Sequence, residues 1–189
     1  MPVLHLRMLI QLLTHWLHKM RKILTYALND IAAVAAPTDF LQIQGGDGIL
    51  CQILRITIGI KNVTVAGSMS ANLVRRSAAF TTQGTAVLTA ISAGAQDNQL
   101  PAAAGTVNYI QTANITTVGP QVGGLLGSKV LSGVVGSSNN VEWEYRWGVE
   151  DGPRLRGSQD FICVNFNGNA IPTGSVFNVE VLVDEGGIR

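Results

Sequence analysis

The sequence predicts an all-β fold, a jelly-roll-like antiparallel β-sandwich, preceded by an N-terminal amphipathic α-helix. Two patterns predict this organisation: polar residues recur at a helical period in the first thirty residues, and apolar and polar residues alternate from Phe40 onward. A third is the series of turn-forming clusters between the alternating segments. We therefore divide the chain into a helix at residues 1–30, a linker at 31–38 and a sandwich domain at 39–189.

The N-terminal segment from His5 to Asp30 contains neither glycine nor proline. Its polar residues recur every third or fourth position from Arg7 to Asn29, which places them in one narrow stripe along a helix. The opposite face is wide and apolar, and a helix with such a face needs a partner in water. The residues predicted to form this assembly face are Leu13, Trp16, Leu17, Met20, Ile23, Leu24 and Ala27.

Three partners are open for this helix: copies of itself or another subunit, the body of its own chain, or a membrane surface. Residues 1–30 carry a net charge of +3, which suits an anionic surface. The longest uncharged stretch near the start, Met8 to His18, has 11 residues. A membrane-spanning helix needs about 20. We favour assembly with protein subunits and do not expect a membrane partner.

The body of the chain has the period of two that is typical of strands with one buried face. Segments 161–166 and 176–183 alternate in this way, and Asn167-Gly168 is a strong turn signal. Eight or more strands with turns at this spacing favour a two-sheet sandwich, most commonly a jelly roll. Further strands are predicted at 69–77, 86–91, 106–112, 125–131 and 141–147, and the core face of segment 50–61 is predicted to comprise Leu50, Leu54, Ile56, Ile58 and Ile60.

The segment 141–147 raises a choice between a core strand and a functional site. We interpret its aromatic face as core packing, because these rings would bury a large area; a subunit interface and a sugar-stacking platform are the alternatives. The glutamates on the other face lie about 6–7 Å apart, a spacing that glycosidase carboxylates also show. A charged outer face with a same-strand ion pair to Arg146 is the simpler interpretation. The two faces are Val141, Trp143, Tyr145 and Trp147 on one side and Glu142, Glu144 and Arg146 on the other.

Catalytic and ligand-binding patterns are sparse. All three histidines lie within the first eighteen residues, so the body lacks the base of a Ser-His-Asp or Cys-His nucleophile. No phosphate-binding loop or calcium-loop pattern occurs. Cys51 and Cys163 lie in apolar runs and are predicted to be buried free thiols. We predict that the protein is not an enzyme and holds no cofactor and no metal.

Charge excludes one class of partner and favours another. Residues 31–189 have a net charge of −2, without the basic surplus expected of a nucleic-acid binder. Only 13% of all residues are charged, and a weakly charged surface favours burial in an assembly. Arg75 and Arg76 point to opposite faces of a predicted strand, so we expect one of them to be buried in an ion pair or to reach a neighbour.

Several segments of the body resemble, in chain order, a group of small all-β structural proteins encoded in tailed-bacteriophage genomes. The resemblance is one of pattern, spans most of residues 37–189 and includes no catalytic signature. The predicted helix departs from the group, in which a short polar start leads into the first strand. The segments are PTDFLQIQG at 37–45, ILRITI at 53–58, LVRRSAAFTTQGT at 73–85, VEWEY at 141–145, LRGSQDFICVNFNG at 155–168 and PTGSVFNVEVLVDE at 172–185.

The resemblance implies a virion component that is assembled in the host cytoplasm. Jelly-roll proteins of this kind often serve as capsid decoration or cement proteins, commonly as homotrimers, bound to the major capsid protein or other virion subunits. A tail, portal-proximal or head-fibre component, with or without receptor binding, is one alternative, and a secreted carbohydrate-binding sandwich is another. If the helix is an anchor, deleting residues 1–36 should leave a folded body and abolish docking.

Overall fold

The computed structural model describes residues 22–32, 39–78, 88–91, 93–95, 103, 105–110, 121–145 and 152–186. These residues form two antiparallel sheets that enclose one main core, so the predicted all-β sandwich is confirmed. In chain order the strands are β1 (Lys22–Ala32), β2 (Asp39–Gln44), β3 (Leu50–Lys61), β4 (Gly67–Arg76), β5 (Leu88–Ile91), β6 (Ala93–Ala95), β7 (Thr106–Ile110), β8 (Gly127–Gly133), β9 (Asn139–Glu144), β10 (Arg154–Leu155), β11 (Phe161–Asn165) and β12 (Val176–Gly186).

Each sheet has six strands. Sheet A has the order β10-β3-β12-β1-β6, and β9 pairs with the same edge of the sheet as β10, along β3. Sheet B has the order β5-β7-β2-β11-β4-β8. The first four strands alternate between the sheets, and no two described strands that are consecutive in the chain pair with each other.

Strand β12 lies in the middle of sheet A, between β3 and β1, and its sequence alternates cleanly. Phe177, Val179 and Val181 face the core and are buried, while Asn178 and Glu180 point to the outer face and are half-buried. The predicted two faces of this segment are confirmed. Burying one such apolar side chain contributes roughly 1.5–3 kcal/mol, so this alternation alone fixes which face of β12 turns inward.

Strand β3 contains a β-bulge that changes which residues face the core. Its ladder with β12 steps from Arg55 directly to Ile53, so Leu54 is the extra residue. Ile53 and Cys51 are therefore buried, while Leu54 and Leu50 are only half-buried. The predicted placement of Leu50 and Leu54 on the core face is corrected, because a bulge shifts the alternation by one residue. The remainder of the predicted face is buried as expected: Ile56, Ile58 and Ile60.

An aromatic cluster at the centre of the core joins the two sheets. The ring centroid of Phe40 lies 5.0 Å from that of Phe166 and 5.1 Å from that of Phe177, and all three rings are fully buried. Phe40 belongs to sheet B, Phe166 follows β11 of the same sheet, and Phe177 belongs to sheet A. Truncating one such ring to alanine typically costs about 3–5 kcal/mol. The cluster is therefore a main contact between the sheets.

The turn predicted at Asn167-Gly168 is confirmed. Both residues have positive φ, 54° and 68°, as the two central positions of a type I′ turn require. Asn169 N donates to Phe166 O at 3.0 Å and closes the turn. Glycine and asparagine tolerate this left-handed backbone, whereas a branched side chain would strain it.

The end of the predicted helix is instead strand β1, Lys22–Ala32. It lies between β12 and β6 inside sheet A, and Leu24 and Tyr26 are buried in the core. The physical reason is tertiary. By polarity Leu24 and Tyr26 fit either structure, because both lie outside the polar stripe of the predicted helix and both lie on one face of a strand. Pairing with β12 satisfies the backbone hydrogen bonds of this segment while the two side chains fill the core.

The domain boundaries change accordingly. The predictions of a helix over 22–30, of a linker from residue 31 and of a sandwich from residue 39 are corrected, since β1 already belongs to the sandwich. The helix predicted for residues 1–21 and the remaining linker residues 33–38 lie outside the described residues.

Removing residues 1–36 is expected to unfold the sandwich, because the deletion takes β1 out of the interior of sheet A and leaves one edge of β12 unpaired. Removing residues 1–21 keeps β1 and should preserve one cooperative unfolding transition. Circular dichroism during a thermal melt of both truncated chains checks this. A cooperative melt after removal of 1–36 would contradict the position of β1.

Candidate assembly surface

Strand β8 forms an edge of sheet B. It runs antiparallel to β4 from residue 127 to residue 133, and Leu126 N extends the ladder by donating to Leu73 O at 2.8 Å. Among the described strands, β4 is the only one that pairs with β8. The other edge of β8 therefore presents backbone N–H and C=O groups that another strand can pair with.

Large apolar side chains are exposed along this edge strand and on both sides of it. Single exposed apolar residues are ordinary on a protein surface, but a contiguous group on one edge marks an interaction site. Their exposed fractions range from 43% to 64%. We name this group the β8 strip; it comprises Leu125, Leu126, Val130, Val134 and Val135.

The β8 edge has little of the protection that usually keeps an edge strand from association, and Lys129 supplies it. Residues 121–135 contain one charged side chain, Lys129, and no proline. Natural edge strands are commonly guarded by several charges, by proline or by a bulge. One lysine guards this edge, and the exposed apolar residues on either side of it remain open to a partner strand.

The inner side of β8 packs closely on the tryptophan of β9. A Cβ atom added at Gly127 would lie 2.7 Å from Trp143 Nε1, which is closer than any ordinary contact. Trp143 is buried, and its indole N–H has no hydrogen-bond partner among the described residues. Glycine at position 127 thus lets the edge strand lie directly over the indole ring.

The aromatic face predicted for segment 141–147 is confirmed as core packing where the structure describes it. Val141 and Trp143 are buried in the main core, and Tyr145 is half-buried against it. Trp147 and Arg146 lie outside the described residues. The rings described here do not form an open platform on which a sugar could stack.

The paired glutamates belong to the outer face of sheet A. Glu142 accepts a hydrogen bond from Thr57 Oγ1 at 3.1 Å and lies 4.0 Å from Arg55 Nε. Arg55 also contacts Glu180 and faces Glu144 across the ladder. The expected charged outer face is present, and its described cation is Arg55 of the neighbouring strand β3; the ion pair expected with Arg146 lies outside the described residues. An arginine and a threonine hydroxyl engage these carboxylates, as in a charged surface network.

A depression of about 370 Å³ lies on the same outer face. It forms where Gly59 stands between Asn140 and Asn178 and leaves a gap in the row of side chains. Amides and Glu180 line it, and no aromatic ring is among the described residues at its wall. It offers hydrogen bonds to a polar ligand but no stacking surface.

Of the seven residues predicted to form the assembly face, the three that the structure describes do not share one face. Ile23, Leu24 and Ala27 lie on β1, where Leu24 points into the core and Ala27 is exposed on the outer face. Residues i and i+1 of a strand point to opposite sides, so a helical face is split when the segment becomes a strand. Leu24 is therefore not available to another subunit. The other four residues lie outside the described part of the chain: Leu13, Trp16, Leu17 and Met20.

The two cysteines are buried free thiols, as predicted. Burial raises the pKa of the Cys163 thiol well above its usual value, and the nearby charge of Asp39 raises it further. Burial also raises the pKa of Cys51, whose Sγ lies 3.9 Å from Glu185 Oε1. The thiolate is the reactive form of cysteine, so neither side chain is poised as a nucleophile.

A buried ionic network secures the middle of sheet B. Asp39 is fully buried and accepts two bonds from Arg76, at 2.8 and 2.9 Å, and a third from Asn165 at 2.6 Å. Arg75 points the other way and binds Asp160 at 2.8 Å. The expectation that one of the paired arginines is buried in an ion pair is confirmed. Removing one partner of such a pair typically costs about 3–5 kcal/mol.

A second buried network ties both ends of the sandwich domain together. Glu185 on β12 accepts from Lys22 Nζ at 3.2 Å and from Gly105 N at 2.8 Å. Tyr26 donates to the carbonyl of Gly105 at 3.1 Å, and burial followed by the charge of Glu185 raises the pKa of its phenol. The carboxylate is thus used in holding β1 and β12 to the segment that precedes β7.

Among the described residues, no three histidine, cysteine, aspartate or glutamate side chains are grouped as a metal site would require. No helix in the same part of the chain is long and apolar enough to cross a membrane.

Comparison of the chain with protein-family models, with curated proteins and with solved structures finds no match. The β8 strip was missed by the sequence reasoning, which placed a strand at 125–131 without assigning it an edge. The signal was present as a fourteen-residue run, LLGSKVLSGVVGSS, that carries one charge.

Substituting Gly127→Ala is expected to destabilise the protein by about 1–3 kcal/mol, because the new methyl group overlaps Trp143 Nε1. Gly124→Ala is the matched control: nothing lies within 4 Å of its added Cβ and its φ is not positive. Urea denaturation of both variants measures the difference. Equal midpoints for the two variants would contradict the contact between β8 and the indole.

Neither cysteine of the folded protein is expected to react with a disulfide reagent such as DTNB at pH 8, because burial keeps both thiols covered and raises their pKa values. Both should react once denaturant unfolds the chain. Absorbance of the released thiol counts the reactive groups. Rapid labelling before unfolding would contradict the burial of Cys51 or Cys163.

Proposed function

We propose that this chain is a non-enzymatic structural protein of a virus particle, a capsid decoration or cement protein that forms homo-oligomers and binds the capsid. The observation that carries the proposal is the β8 strip, an exposed apolar edge on a sandwich whose buried acids and thiols serve packing. An exposed apolar edge of this kind is suited to binding other protein surfaces.

The strand pairing supports assignment of the sandwich to the jelly-roll type. The outermost pair in sequence is β1 with β12, and inside it come β2 with β11, β3 with β9 and β4 with β8. Such nesting arises when one long eight-stranded hairpin is rolled onto itself, which is how a jelly roll is built. On this assignment β5, β6, β7 and β10 are additions to the eight-stranded frame.

The segments that resemble phage structural proteins coincide with the strands of this frame. ILRITI lies in β3, VEWEY covers the end of β9, and PTGSVFNVEVLVDE contains most of β12. The resemblance also suggests a homotrimer bound to the major capsid protein. The N-terminal residues 1–21 are the proposed anchor, with Leu13, Trp16, Leu17 and Met20 supplying apolar side chains.

Two alternative functions differ from this proposal in measurable ways. A tail, portal-proximal or head-fibre protein is present in few copies per particle. A secreted carbohydrate-binding sandwich would use the amide-lined depression beside Gly59, and it would bind glycans in the purified state. The depression lacks a stacking ring, which is why capsid binding is preferred.

Purified virus particles from the source of this chain are expected to contain it at a simple ratio to the main shell protein, near one or one third. A lattice-bound protein repeats with the lattice, and quantitative mass spectrometry of intact particles measures the ratio. A handful of copies per particle would move the protein to the tail, portal or fibres, and absence would contradict the proposal.

A binding experiment tests the anchor. Particles that lack this protein are mixed with either the full chain or the chain without residues 1–21, and bound copies are counted after sedimentation. The shortened chain should stay folded, because it keeps β1, and should bind far fewer sites. Equal binding of both chains would show that the anchor lies elsewhere.

A further inference from the structure

We propose that β8 pairs with β8 of a second copy of this chain, antiparallel and about a two-fold axis at Val130, so that sheet B continues from one copy into the other. This inference rests on the proposed function in one respect, that the chain works as an assembly of copies. It adds the contact and the geometry by which two of those copies associate.

The first support is that the residues on either side of Val130 mirror one another in chemical type. In a two-fold antiparallel pair, each residue faces the residue at the same distance on the other side of the axis. Small residues then face small ones, and apolar residues face apolar ones. The facing pairs are Gly127 with Gly133, Ser128 with Ser132 and Leu126 with Val134 of the second copy; Val135 lies in the turn closed by Ser137 N and Val134 O.

The second support is that the pairing covers the centre of the β8 strip. Val130, the most exposed of these side chains at 64%, would face Val130 of the second copy across the axis. Leu126 and Val134, both exposed in the single chain, would face each other on either side of it. Facing apolar pairs on neighbouring strands stabilise a sheet, and their burial removes apolar surface from water.

The third support is the position of the charge. Lys129 is the one charged residue of β8, and like charges directly opposite each other would oppose pairing. About an axis at Val130, Lys129 faces Leu131 of the second copy and lies only diagonally from the second Lys129. An axis at Lys129 would instead set the two ammonium groups face to face. The charge therefore favours the same axis as the apolar residues.

A two-fold contact joins copies in pairs and cannot by itself close a trimer. The expected particle in solution is therefore a dimer, or a hexamer if three-fold contacts also form. In either case the β8 edge is no longer open, which removes the aggregation risk of an unguarded edge strand.

The test uses the purified full-length chain carrying Val130→Cys, with no virus particles present. Directly facing strand residues have Cβ atoms about 4.5–5.5 Å apart, close to the separation that a disulfide needs. Mild oxidation should produce a disulfide-linked dimer on a non-reducing gel. The native thiols do not interfere, because Cys51 and Cys163 are buried.

The matched control is Ser128→Cys, on the same strand and also exposed. It faces residue 132 of the second copy, so the two introduced thiols stand about 13 Å apart at a rise of ~3.3 Å per residue. Val130→Cys should cross-link on the order of tenfold faster or more, because pairing raises the effective concentration of its thiol. Equal rates for the two variants would overturn the proposed register and axis.

Sedimentation velocity supplies the second readout. The wild-type chain should sediment as an even-numbered oligomer, and Val130→Lys should reduce its mass by half, since two ammonium groups would face each other at the axis. Val65→Lys makes the same change at another exposed valine, outside the strip, and should leave the mass unchanged. A wild-type monomer or an odd-numbered oligomer, or a Val130→Lys mass equal to wild type, would overturn the proposal whatever the particle counts show.

Discussion

The position of β12 between β1 and β3 is the constraint on which the rest of the structure depends. Its ladders with both neighbours run over most of its eleven residues, so the two ends of the sandwich domain lie side by side in one sheet. Phe177 of β12 then meets Phe40 and Phe166 of the other sheet, and Glu185 binds Lys22. Sheet pairing, core packing and the buried network all require that one strand order. The contacts that β12 makes with β1 and β3 join segments far apart in sequence. Losing either β1 or β3 is therefore expected to unfold the whole domain cooperatively.

Buried ion pairs and an exposed apolar edge lie in different parts of the molecule. Asp39 with Arg76 in sheet B, and Glu185 with Lys22 in sheet A, are buried ion pairs that tolerate little displacement. Such pairs specify one arrangement of strands more than they add net stability. The β8 strip is the reverse, since it is exposed, apolar and nearly without charge. Buried ion pairs that hold the strands and an exposed apolar edge strand are consistent with the proposed binding of other subunits.

The outer face of sheet A shows why the carboxylates of this chain are more consistent with structure than with catalysis. Glu142 and Glu180 flank Arg55, and Thr57 donates to Glu142. Arg55 and Thr57 thus engage both acids in contacts between neighbouring strands. Four asparagines are among the residues that line the gap at Gly59, and their amides accept and donate hydrogen bonds. Recognition of a polar surface is the chemistry available on this face.

The sequence by itself determined the parts of this protein that depend on local alternation. Phe177, Val179 and Val181 had to face one way and Trp143 had to be buried, because polarity alternates there at a period of two, and Asn167-Gly168 had to turn, because both residues tolerate positive φ. Tertiary structure decided three other matters. It made Lys22–Ala32 a strand, because β12 offered an edge that a helix would have left unpaired. It reversed the face at Leu54, because the longer ladder of β3 accommodates an extra residue only as a bulge. It left β8 at an edge, because strand order follows from non-local pairing, and local periodicity carries no information about which strand lies beside which.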